Sequence, residues 1–294
     1  MSIESIVEII KAELKGGPLE LKTRMPHLRN RLEPYIYNYL AMNHYPMLNE
    51  AWKSYAPPLN SKNVYAIIER RCHPNFDFIL KNIAWANPNM AVYIFCSDVN
   101  EKYIYSLLGD KIANVSIVQA FSGTGSVQEG IDDYNRLLTS KDFYECFAED
   151  AEYVLTIQMD VFIRRPIKPE IFVGDYWGAP WMWSPQKGGS GGSTIRKISK
   201  MMEICSREFD ADHDPVKEGE DHWFSEKVKD LPPLAFRSKT IMESLYITNP
   251  VIVHQFWTYL DNILEYPHES ALSFLKDILT VRLDNWNDLT IGTT

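Results

Sequence analysis

Tyr153-Val154-Leu155-Thr156-Ile157-Gln158-Met159-Asp160-Val161-Phe162-Ile163 decides how the rest of the chain is read. Apolar and β-branched residues flank Gln158 and Asp160 on both sides, which predicts one buried strand interrupted by a polar step. A carboxylate at the end of a core strand is costly unless something binds it, because an unpaired buried charge is strongly destabilising. Asp160 is therefore a candidate ligand for a metal ion. The competing reading makes it a cap on the loop that leads to Arg164-Arg165-Pro166.

Working outward, apolar runs alternate with helical spacing. Asn63–Arg71 reads as a buried parallel strand, Phe76–Ala84 as a helix and Ala91–Cys96 as a strand ending in Ser97-Asp98. A helix near Glu101–Leu108, a strand at Val115–Val118 and a helix over Ile131–Phe147 follow. The pattern predicts an α/β fold with a mostly parallel central sheet flanked by helices. In such sheets ligands sit where strand carboxyl ends fan apart, and Glu69-Arg70-Arg71, Ser97-Asp98 and Asp160 all fall at such ends.

Beyond Asp160, Asp175-Tyr176-Trp177-Gly178-Ala179-Pro180-Trp181 and Trp183 supply flat aromatic faces. Gly188-Gly189-Ser190-Gly191-Gly192-Ser193-Thr194 reads as a loop that admits close approach of a ligand, with Ser193 capping a helix through Ile195, Ile198 and Met202. It lacks the Walker arrangement, and no dinucleotide fingerprint occurs. Glu220-Asp221-His222-Trp223-Phe224 opens another helix; its carboxylates read as caps on the helix dipole or as a general base. His254 ends a strand over Pro250–Trp257, where a core histidine and a metal ligand are both open readings. A closing helix is expected over Glu269–Val281 and a polar end over Asp284–Thr294.

Upstream, Ile3, Ile6, Val7, Ile10 and Leu14 predict one helix and Leu28–Trp52 a second, broken at Ala56-Pro57-Pro58. They carry no evident chemistry and read as a cap on the main domain rather than an oligomer contact. The net charge of -9 over 294 residues argues against nonspecific nucleic-acid binding. No run of about 18 apolar residues occurs, and Glu4 and Glu8 stand where a secretory leader would be basic, so a cytoplasmic protein without a membrane span is expected. Cys72, Cys96, Cys146 and Cys205 form no C-x-x-C pair and read as buried thiols.

In order, Ile67-Ile68-Glu69-Arg70-Arg71, Gln158-Met159-Asp160, the Trp177-Gly178-Ala179-Pro180-Trp181 segment with Gly191-Gly192-Ser193-Thr194-Ile195-Arg196, Glu220-Asp221-His222-Trp223-Phe224 and the late His254 resemble a nucleotide-sugar glycosyltransferase of the GT-A type. More closely, they resemble a family of glycosyltransferase-like proteins catalogued as a domain of unknown function. The resemblance covers about Asn63 to Trp257. It implies a GT-A-like domain over 61–265 with a nucleotide-binding half (61–163) and an acceptor-binding half (164–265), and leaves outside it the helical extension over 1–60 and the C-terminal helix and tail over 266–294.

The resemblance further implies Asp160 and His254 as ligands of Mn²⁺ or Mg²⁺, with Mn²⁺ favoured by the mixed oxygen and imidazole set. Gln158 stands in place of the first acid of the D-x-D motif. Asp221, or Glu220 in its place, would take the proton of the acceptor hydroxyl in an inverting transfer. Glu69, Arg71 and Asp98, with Gln158 and Asp160, would hold the donor, a UDP-sugar. Trp177, Trp181, Gly191, Gly192 and Ser193 would line the sugar and a glycan or glycoconjugate acceptor. A catalytically silent nucleotide- or sugar-binding module and a metal-dependent phosphohydrolase are the rival readings. An interaction protein displaying Trp177, Trp181 and Trp183 is a third, decided by their exposure.

Overall fold

The computed structural model describes residues 2–13, 21–206, 214–243, 249–258 and 268–282. Two N-terminal helices, α1 (Ile3–Glu13) and α2 (Leu21–Ser54), precede strand β1 (Asn63–Ile68) and helix α3 (Phe76–Ala86). Next come β2 (Ala91–Ser97), α4 (Glu101–Leu108), β3 (Ser116–Phe121), α5 (Val127–Leu138) and α6 (Lys141–Glu145). Strands β4 (Tyr153–Ile157), β5 (Val161–Ile163), β6 (Tyr176–Ala179) and β7 (Ser190–Lys197) lead to α7 (Ile198–Cys205). The chain continues through α8 (Pro215–Glu218), α9 (Glu220–Lys227), α10 (Leu234–Thr240), β8 (Ile241–Met242), β9 (Ile252–His254) and α11 (His268–Ile278).

The main sheet has six strands in the order β3-β2-β1-β4-β7-β6, as the α/β expectation requires. Strands β1 to β4 are mutually parallel, and β7 alone runs against its neighbours. Alternate residues feed opposite faces. Tyr65 and Ile67 of β1 join one apolar cluster with α2, α3 and α4, while Val64, Ala66 and Ile68 join another with α5, α6, α7 and α9. A strand covered on both faces must be apolar at every position, which is why Asn63–Ile68 shows no polar alternation. The chain winds outward from β1 to β3 and then returns to place β4 on the other flank of β1. That reversal opens a crevice beyond the carboxyl ends of β1 and β4.

The single strand expected over Tyr153–Ile163 is two strands. β4 ends at Ile157, and β5 belongs to a separate three-stranded sheet in the order β5-β9-β8. The physical reason is lateral: after Leu155 the backbone ladder between β4 and β7 gives way, and the Thr156 hydroxyl accepts the Thr194 N–H at 3.0 Å. Gln158 N–H then donates to Gly192 O at 3.2 Å, and the chain turns into the second sheet.

Other sequence expectations need adjustment. The helix expected over Ile131–Phe147 breaks at Thr139-Ser140, where the Ser140 hydroxyl accepts Phe143 N–H at 3.2 Å and starts α6. Gly191, Gly192 and Ser193 lie within β7 rather than a loop, and α7 begins only at Ile198, so Ser193 caps nothing. β9 is shorter than Pro250–Trp257. Only Cys96 of the thiols is fully buried, while Cys72 and Cys146 are exposed, although all four are free as expected. The expected polar end over Asp284–Thr294 lies outside the described residues.

Helix α2 packs as a cap but reaches further than one. The Tyr37 hydroxyl donates to Val161 O at 2.7 Å, and its ring meets Phe78 and Trp257 edge-on. Toward the C-terminus the fully buried Arg164 donates to Pro250 O at 3.1 Å and pairs with Asp277, which fixes α11 beside β5. No helix among the described residues is long and apolar enough to cross a membrane.

Candidate active-site cleft

Asp160 and His254 meet because β5 and β9 pair antiparallel with Val161 opposite His254, and Gln255 N–H donates to Asp160 O at 3.0 Å. His254 Nε2 stands 3.4 Å from Asp160 Oδ1, with both side chains 1% exposed. Arg29 from α2 places its NH2 group 2.8 Å from Asp160 Oδ2. On its other edge, His254 Nδ1 is 3.5 Å from Ser190 Oγ and 3.7 Å from Glu243 Oε1. Burial opposes both charges. Arg29 and His254 nevertheless hold the Asp160 carboxyl well below the usual carboxylate range, and Asp160 with Glu243 raises His254 to about 9.

These residues do not make a fitting seat for a resident Mn²⁺ or Mg²⁺. Position 158 is a neutral glutamine, Arg29 already faces Asp160, and His254 is engaged between Asp160 and Glu243. Neither Asp160 oxygen accepts a well-aligned hydrogen bond from the described residues, and Arg29 and His254 hold the acid chiefly by charge. No group of three His, Cys, Asp or Glu side chains gathers in a metal-binding arrangement among those residues.

At the end of β1, Glu69 is buried and grips Arg71. Its Oε1 accepts the Arg71 N–H and Nε–H at 2.8 Å each, and its Oε2 accepts from NH2 at 2.7 Å. Asn100 fixes this turn by donating to Glu69 O and Arg71 O at 2.8 and 2.9 Å. Arg70 turns the other way and donates to Ser126 O at 2.6 Å, pinning the start of α5. Glu33 from α2 accepts from Asn75 Nδ2 at 2.8 Å and lies 3.4 Å from His73 Nε2. Burial, then the charge of Asp160, pushes the Glu33 carboxyl up to about 7.

The opposite side is built by β7 and the start of α9. Glu220 is buried and meets the fully buried Arg196 at 3.0 Å, and burial raises its carboxyl to about 7. Asp221 is less buried; its Oδ2 accepts Gly191 N–H at 3.1 Å and its Oδ1 accepts His222 N–H at 2.8 Å. Burial leads the upward shift of the Asp221 carboxyl, opposed by those bonds and by His222. A Cβ on Gly191 would stand 2.1 Å from Glu220 Oε1, so the glycine serves close packing of an acid against the strand.

Together these groups surround one cleft of about 1090 Å³. Of the residues singled out in the sequence, Glu69, Arg71, Gln158, Gly191, Gly192, Glu220, Asp221 and His254 line it, and Asp160 lies buried behind Arg29 and His254. Others fall elsewhere. Trp177 is 0% exposed, its ring against Phe236 and its Nε1–H donated to Val173 O at 2.7 Å, so it is a core side chain. Ser193 is buried within β7 and off the cleft lining. Asp98 accepts Gly123 N–H at 2.7 Å and so ties the loop after β3 to the end of β2. Trp181 is buried between Trp183 and His222, with ring centroids 6.1 and 4.4 Å away, and braces the start of α9. Of the three tryptophans only Trp183 is exposed, so Trp177 and Trp181 offer no aromatic interaction surface.

The cleft also contains what the sequence reading passed over. Arg29, Glu33 and Tyr37 of α2 line it, together with Tyr134 of α5 and His73. The N-terminal helices, expected to carry no chemistry, thus contribute an ion pair and a carboxylate to the site. The available signal was the polar set Arg29, Glu33 and Tyr37 at four-residue spacing, which puts all three along one helix face.

Residues 118–243 match a family described as "Protein of unknown function (DUF5672)". No curated protein matches the chain. Among solved structures the chain is similar to the galactosyltransferase LgtC in complex with donor and acceptor sugar analogs, at 13% identity over 57% of this chain and 66% of that one, with a TM-score of 0.38. It is similar to mouse xyloside xylosyltransferase 1 in its apo form, at 8% identity over 48% of this chain and 69% of that one, TM-score 0.31. A 4-diphosphocytidyl-2C-methyl-D-erythritol synthase from Anaerococcus prevotii DSM 20548 aligns at 11% identity over 73% of this chain and 96% of that one, TM-score 0.32. The chain spans about two thirds of the length of the two transferases. At these scores the likenesses assign no residue a role.

Proposed function

We propose that the cleft binds a nucleoside-diphosphate sugar, with UDP as the nucleotide, and transfers the sugar to a hydroxyl of a glycan or glycoconjugate. The observation that supports this best is the position of Asp221. It sits across the cleft from the charged ends of β1 and β4, raised in basicity by burial and oriented by Gly191 N–H. A nucleotide at the strand ends would present its sugar toward that carboxylate.

In this reading Asp221 takes the proton of the acceptor hydroxyl as its oxygen attacks the anomeric carbon. The bond from that carbon to the diphosphate oxygen breaks, the nucleoside diphosphate leaves as an anion, and configuration inverts. Glu220 is committed to Arg196 and maintains the wall on which Asp221 stands. Trp181 stacks on His222 and holds the adjoining peptide in place. Because the donor set around Asp160 does not fit a resident metal, no step is routed through one.

The test is release of UDP from a panel of UDP-sugars, with wild type and Asp221→Asn. Wild type should release UDP, and the variant should do so at least about 100-fold more slowly while binding UDP equally well. Turnover unchanged by the substitution removes Asp221 as the base. Gln158 in place of an acid favours a second reading, a silent binding module, which predicts UDP-sugar binding with no release by either protein.

A further inference from the structure

Resting on the transferase reading, we propose that the donor diphosphate is received by a clamp of two arginines, Arg29 and Arg71, each anchored on a buried acid, so that its binding requires no divalent cation.

The two anchors share one construction. Glu69 closes β1 and Asp160 follows β4, so the acids stand at the ends of the two strands that flank the crevice. They are 7% and 1% exposed. Each faces a guanidinium, Arg71 at 2.7 Å and Arg29 at 2.8 Å, whose side chains remain 61% and 42% exposed. Both arginines line the cleft.

A guanidinium has five N–H donors in a planar fork, so one edge can serve an acid while the rest is presented to an anion. Anchoring removes the rotamer freedom that a loose arginine would lose on binding phosphate. It also explains an acid buried without aligned hydrogen bonds: Asp160 positions Arg29 through charge. A dication seated on Asp160 would lie within a few ångströms of the Arg29 guanidinium and repel it, so arginine and metal are alternatives at this carboxylate.

Calorimetric titration of UDP into the full-length protein, in EDTA and again in excess MnCl₂, tests the clamp. Wild-type affinity should agree within about three-fold between the two conditions. Arg29→Gln and Arg71→Gln should each weaken binding in EDTA by about ten-fold or more, since each removes a charge-assisted hydrogen bond to the diphosphate. Arg29→Lys should recover part of the loss. Arg29→Gln leaves Asp160 without its cation, so the double variant Arg29→Gln/Asp160→Asn is measured beside it; it should fold by circular dichroism and still bind weakly. Wild-type binding only in MnCl₂, or affinity unmoved in the folded double variant, overturns the clamp and leaves the transferase reading standing. If UDP, CDP, GDP, ADP and their sugar conjugates bind under neither condition, the transferase reading falls and the clamp with it.

Discussion

A Cβ built on Gly192 would lie 2.0 Å from Nε2 of His254: the imidazole occupies the space that any side chain on this strand position would need. Gly192→Ala must therefore push His254 off Asp160 or bow β7 outward. Overpacking of this kind costs about 1–3 kcal/mol. We expect a matching loss in urea denaturation and weaker UDP binding in titration, whereas Gly109→Ala, where nothing lies within 4 Å but φ is +57°, should touch stability alone.

The tryptophans divide sharply. Trp177→Ala empties a fully buried site and should cost about 3–5 kcal/mol, read from the denaturation midpoint. Trp183→Ala, at 52% exposure, should cost less than about 1 kcal/mol. Similar costs for the two would contradict their placement.

Glu220 and Asp221 are adjacent, and the structure separates their roles. Glu220→Gln leaves Arg196 as a buried, uncompensated charge and should destabilise by about 3–5 kcal/mol in thermal unfolding. Asp221→Asn strands no buried ion and gives up one acceptor, for Gly191 N–H or His222 N–H, so it should destabilise by only about 1 kcal/mol while turnover falls.

Stability should carry a pH signature from Glu33. Its folded value of about 7 lies above the ordinary 4.5, so the folded state holds the proton more tightly than the unfolded chain. The favourable contribution is fully present below the unfolded value, and stability falls as pH rises through that window to about 7. The fall is on the order of 2–3 kcal/mol. Glu33→Gln cannot titrate and can still accept from Asn75, so its stability curve should be flatter between those limits. Parallel curves for the two proteins would disprove the buried-acid account.

How much of this was legible in the residues depends on range. The parallel series from β1 to β4 was readable because each strand declares itself within about six apolar residues and each turn within a few more. The cleft was half readable: Glu69, Arg71, Gln158, Asp221 and His254 stand at or next to element ends, where a polar residue has a reason to be. The division of Tyr153–Ile163 between two sheets was not, because it depends on β7 and β9 arriving from later in the chain, and local pattern holds no record of that. Arg29 was hidden for the same reason. A polar residue on a helix face reads as solvent-facing until the acid it meets is known, and Asp160 is remote in sequence. Trp177 shows the converse error, in which an aromatic-rich run suggests a ligand wall while a strand covered on both faces buries its ring in the core.

The step from Gln158 to Asp160 has a mechanical meaning as well. Gln158 is bonded to β7 in the six-stranded sheet, and Asp160 is bonded to Gln255 beside β9 in the three-stranded one. The residues are two peptide units apart, yet they answer to different frameworks. In the proposed donor-bound state, a molecule touching Gln158 on one framework and the Arg29–Asp160 pair on the other would span the joint between them and hold the two in one relative setting.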